Sequence, residues 1–121
     1  MSVAVANDNY RTSLLRTLVE YHLPVDSVLA ELAQLTWDVD TPLLRLTSLD
    51  IQNILSRFIA HELSAFQVED WANVIECRDD IDLSGESQEF AEIILRLANP
   101  SLHEPISIKL ANEILNDLLR R

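Results

Sequence analysis

The chain has 121 residues, 48% of them hydrophobic, with one glycine (Gly85), one cysteine (Cys77) and a formal net charge of −11 from 20 acidic and nine basic residues. That length supports one hydrophobic core, and so little glycine argues against the tight turns of a β-rich fold. The charge repels phosphate backbones and anionic headgroups, so nucleic acid and membrane surfaces are not the expected partners, whereas a basic protein is.

The expected fold is all-α, a compact single-domain bundle of five or six amphipathic helices over residues 10–121, preceded by a flexible stretch at 1–9. That stretch has no lysine or arginine, and its apolar part, residues 3–6, is too short for a signal peptide or a membrane span. The expected location is the cytoplasm. A lone cysteine allows neither an intrachain disulfide nor a thiolate zinc cluster.

In chain order, the first helix is expected at 10–22, with Leu14, Leu15, Leu18 and Val19 on its apolar side. The second, at 25–35, starts from Pro24 and Asp26 and aligns Val28, Leu29, Leu32 and Leu35. Residues 36–47 break the period, and Thr41-Pro42 suggests a short helical turn there. A third helix over 48–62 is announced by Thr47 and Asp50, a variant capping box, with Leu46 and Ile51 at the staple positions. Ile51, Ile54, Leu55, Phe58 and Ile59 then follow a helical period. The fourth, over 65–78, has the clearest signature: Ser64 and Gln67 form the box, and Leu63 staples to Val68. Val68, Trp71, Ala72 and Ile75 follow at i, i+3, i+4 and i+7 as its core face. The fifth, over 87–98, presents Phe90, Ile93, Ile94, Leu97 and Ala98 and stops at Asn99-Pro100. The sixth, over 107–119, presents Leu110, Ala111, Ile114, Leu115 and Leu118. Together these segments cover about two-thirds of the chain, against about 30–35% helix in an average soluble domain.

Acid is concentrated between Glu69 and Glu92, where nine carboxylates face one base, Arg78, within 24 residues. Along a continuous fourth helix, Glu69, Asn73, Glu76 and Asp80 would fall at i, i+4, i+7 and i+11 and share a face. Like charges so placed slightly destabilise a helix, and a basic partner would account for them. The expected partner-binding residues are Glu69, Asp70, Asn73, Glu76, Asp79, Asp80 and Asp82. The competing reading is a solvated face that serves solubility alone.

Asp80-Ile-Asp82-Leu-Ser84-Gly85 matches the first half of a calcium-binding EF-hand loop, but position 12 is Ala91 where a bidentate glutamate is needed. No metal is therefore expected. His61-Glu62-Leu63-Ser64-Ala65 lacks the second histidine of a zinc-protease motif, and His22, His61 and His103 read as helix-end or surface residues. Phosphate-binding and nucleophile-elbow motifs need two or more glycines. No catalytic residue and no cofactor is expected, and the chain does not read as an enzyme. Trp71 reads as core, while Trp37 could be a lid or a contact.

The run from Asp50-Ile51 through Glu62-Leu63-Ser64-Ala65 and Val68-Glu69-Asp70-Trp71-Ala72 to Glu76-Cys77-Arg78-Asp79-Asp80-Ile81 resembles small acidic bacterial immunity-type proteins. These include the colicin D immunity type and those that counter contact-delivered toxins. The likeness covers about 35 residues, mostly core and capping positions, and so speaks for fold more than function. It implies a helical inhibitor that occludes the basic cleft of a nuclease-type toxin with an acidic face. A helical adaptor or regulatory protein with incidental acidity is the alternative.

Overall fold

The computed structural model describes residues 3–35, 42–84 and 89–120, with side chains from residue 9 onward. Six helices among the described residues form an all-α bundle: α1 (Val3–Val19), α2 (Val25–Leu32), α3 (Ser48–Ile59), α4 (Ala65–Glu76), α5 (Glu89–Ala98) and α6 (Ile108–Leu119). The helix α1 extends to Val3, seven residues before the expected start and through most of the stretch expected to be flexible. No proline or glycine interrupts residues 3–10, so nothing local stops the helix there.

Both capping boxes are present. Thr47 Oγ1 accepts from the Asp50 amide at 3.3 Å while the Asp50 carboxylate accepts from the Thr47 amide at 2.9 Å. Ser64 and Gln67 exchange the equivalent bonds at 3.1 and 2.8 Å. The staple residues Leu46 and Ile51, like Leu63 and Val68, are buried. Ser107 caps α6 by accepting from the Leu110 amide.

With glycine so scarce, two helices end on left-handed residues of other types. Tyr21 (φ 53°) follows α1, and His61 (φ 66°) follows α3. At each site the next amide reaches back five residues, from His22 to the Thr17 carbonyl (3.0 Å) and from Glu62 to the Arg57 carbonyl (2.8 Å). The bonds from Tyr21 to Leu18 and from His61 to Phe58 complete two Schellman caps. The Arg57 guanidinium closes the first from outside, donating to the Glu20 and Tyr21 carbonyls and lying 5.5 Å from the centre of the Tyr21 ring.

The most extensive helix packing is α4 on α5, followed by α3 on α6 and α1 on α2. The single core draws on all of them. Trp71, fully buried on α4, donates its indole N–H to the Val19 carbonyl at 3.1 Å and so satisfies its one polar atom. One feature was not expected. Two short strands, β1 (Leu44–Arg45) and β2 (Ile81–Asp82), pair in parallel, with Leu44 opposite Ile81 and Arg45 opposite Asp82. Of the helical turn expected to open at Thr41-Pro42, Thr41 lies outside the described residues, and Pro42 and Leu43 lead without helix into β1. The α3–α4 hairpin forms the crossover between the strands, as a parallel pair requires. No described helix is long and apolar enough to cross a membrane.

Candidate functional site

The acidic region begins on α4 and continues into the turn that leads to β2. Helix α4 ends at Glu76, with Cys77 as its C-cap, two residues short of the expected end. Asp80 therefore does not share a helical face with Glu69, Asn73 and Glu76. Instead the chain turns, and β1 captures it: the Leu43 and Leu44 amides donate to the Asp80 carbonyl at 2.9 and 3.2 Å, and the Leu46 amide to the Asp82 carbonyl at 3.0 Å.

Asp80 is the largest departure from expectation. Its side chain is only 3% exposed and is gripped by two arginines. Arg78 binds it in a bidentate fork, Nε to Oδ1 and Nη2 to Oδ2, both 2.8 Å. Arg11 of α1, itself 5% exposed, adds Nη1 to Oδ2 at 3.4 Å. Burial alone would push the Asp80 carboxyl up, but the Arg78 bonds and charge, joined by Arg11, outweigh it and hold the group below its ordinary value. An acid so enclosed is a structural strut whose charge is met inside the fold. Asp82 is also engaged. Its Oδ1 accepts from the Ser84 amide (2.9 Å) and hydroxyl (2.6 Å), and its Oδ2 lies 3.6 Å from Arg45 Nε.

The other expected residues stay at the surface. Glu76 and Asp79 are exposed, and Glu69, Asp70 and Asn73 are half-buried. None of the four acids in this group makes an ion pair among the described residues. The Asp70 charge is felt by Tyr21, whose hydroxyl is raised above its usual range first by burial and then by that carboxylate. Much of the nearby positive charge is engaged within the molecule, some of it buried and some at the surface. Arg11 and Arg78 serve Asp80, Arg45 meets Asp82, Arg57 caps α1, and Arg96 pairs with Glu104 at 3.3 Å.

Beside these acids lies a cavity of about 350 Å³ between α1, α2 and α4. Leu29 and Val74 give it apolar walls; Asn73, Cys77 and Asp79 border it, and the Arg11–Asp80 pair closes one side. Sequence reasoning missed Arg11. The available signal was its spacing: Arg11, Leu15 and Leu18 stand at i, i+4 and i+7, which puts a cation on the core stripe of α1.

Comparison with protein-family models, curated proteins and solved structures gives no match. The site is therefore read from its own chemistry. Cys77 is exposed, as are His22, His61 and His103. Among the described residues no three metal-ligating side chains converge. Of the EF-hand-like stretch, residues 85–88 lie outside the described residues, as does Trp37. The Asp80 carboxylate that would open such a loop faces two guanidinium groups.

Proposed function

We propose that this protein is a protein-binding module that presents Glu69, Asp70, Glu76 and Asp79 to a basic partner. In its specific form, suggested by the resemblance to immunity-type proteins, it neutralises a nuclease-type toxin by filling a basic cleft that would otherwise hold nucleic acid. The observation that carries the reading is the division of charge around α4: Arg11 and Arg78 are tied up with the buried Asp80 and Arg45 pairs with Asp82, while these four acids have no cationic partner among the described residues. An unbalanced negative patch raises the rate of encounter with a basic surface and rejects acidic competitors.

The test is affinity capture from the native cell with the wild-type chain and with the Glu69→Lys, Glu76→Lys, Asp79→Lys variant, followed by assay of the captured protein for nuclease activity with and without added wild type. The expected outcome is a basic partner held by the wild type alone, whose nuclease activity the wild type suppresses. Equal recovery of that partner by both proteins would refute binding through this face. A captured partner without nuclease activity would refute the toxin-neutralising form.

A further inference from the structure

The cavity beside the acidic residues gives the proposed partner a more definite shape. Along α4 and its C-cap, Asp70, Asn73, Val74 and Cys77 fall at i, i+3, i+4 and i+7, so the helical wall of the cavity continues directly into an acid. Asp79 lines the cavity itself, and Glu76 precedes Cys77 at its border. At about 350 Å³ it lies near the small end of ligand-sized pockets, which span about 300–1,000 Å³. A single large side chain suits that size. Charge inside the cavity nearly cancels: two guanidiniums exceed the Asp80 carboxylate by one unit, and Asp79 offsets it. Outside it, Glu69, Asp70 and Glu76 leave the surroundings negative. A neutral, partly apolar recess within a negative border fits an apolar side chain carried on a cationic segment.

We infer that the cavity between Leu29, Val74 and Cys77 receives one aromatic or branched aliphatic side chain of the partner, flanked there by lysines or arginines that meet Glu69, Asp70, Glu76 and Asp79. This rests on the protein-binding reading and adds to it the anchor on which affinity would depend. Interfaces concentrate their energy in a few such desolvated anchors, while surrounding charges chiefly govern encounter and selectivity.

The inference can be tested with defined probes. Isotope-labelled protein is titrated, with backbone amide shifts as readout, using a blocked pentapeptide of four lysines around a central tryptophan, the same peptide with central alanine, and N-acetyltryptophanamide. The tryptophan peptide should move the Leu29, Val74 and Cys77 amides and bind about tenfold more tightly than the alanine peptide. Alkylating the exposed Cys77 with N-ethylmaleimide should erase that advantage and leave the alanine-peptide affinity unchanged. Equal binding of the two peptides, sensitive to the triple lysine variant, would overturn the anchor while sparing the acidic face. N-acetyltryptophanamide binding as strongly as the tryptophan peptide would overturn it in favour of a small-molecule site. Peptide binding that survives the triple variant, or no binding of either peptide, would overturn both the anchor and the face.

Discussion

Asp79 and Asp80 are adjacent, chemically identical and placed in opposite media. Asp79 is exposed, with no ion pair among the described residues, whereas Asp80 is enclosed by Arg78 and Arg11. Removing a carboxylate from water costs several kcal/mol, recovered only where paired charges and good hydrogen-bond geometry compensate. The fold supplies both for Asp80 and neither for Asp79. Acidity in this stretch therefore serves two ends: one residue joins α1 to the strand pair, while its neighbours set the character of the surface.

Breaking the enclosed pair should produce the largest effect. Asp80→Ala leaves Arg11 and Arg78 facing each other without their anion and should cost about 3–5 kcal/mol of stability, measured by urea unfolding. Asp79→Ala in the same assay should change stability by less than about 0.5 kcal/mol. Similar losses for the two variants would erase the distinction.

Acid should expose the same contrast. Asp80 has a lowered folded-state pKa, so its contribution is complete above the ordinary carboxylate range and disappears as pH falls through the folded value. Thermal melts from pH 7 down to about pH 2 should show wild-type stability falling in a way that Asp80→Asn, already destabilised at neutral pH, does not fully share. Parallel profiles for wild type and Asp80→Asn would break the comparison.

A smaller loss is expected where the acidic helix begins. Ser64→Ala removes the acceptor for the Gln67 amide and should cost about 1 kcal/mol by thermal or chemical unfolding. The smallest effect belongs to the surface. The Glu69→Lys, Glu76→Lys, Asp79→Lys variant should stay within about 1 kcal/mol of wild type in stability, because Glu76 and Asp79 are exposed, Glu69 is only half-buried and none of the three makes an ion pair among the described residues, and its circular dichroism spectrum should be unchanged. A large loss would mean that these acids, like Asp80, serve the fold.

The helices were legible because their signals are local. Thr47 with Asp50 and Ser64 with Gln67 lie three residues apart, and the Val68, Trp71, Ala72, Ile75 stripe falls within two turns of one helix. The end of α4 was not legible, since neither glycine nor proline follows Glu76 to mark it. What draws the chain out of the helix is tertiary: pairing with β1 and capture of Asp80 by an arginine 69 residues away. The same distance concealed the site. Sequence spacing put Asp80 on a face with Glu76, and only the fold separates them. Glu69, Asp70 and Asn73 kept their expected helical placement because α4 does extend past them.

The two-residue strands carry an implication for the order of assembly. They cannot meet until the intervening chain has doubled back, and the α3–α4 hairpin, each helix with its own capping box, has the local contacts to do so early. Pairing Leu44 with Ile81, and then Asp80 with Arg11, closes progressively longer loops, whose entropic cost precedes any reward. The strand pair and its arginine clasp therefore belong to the late, native side of the folding barrier. Loosening them should hasten unfolding more than it slows folding, which makes this small ladder a brake on opening for the turn that bears the acidic surface.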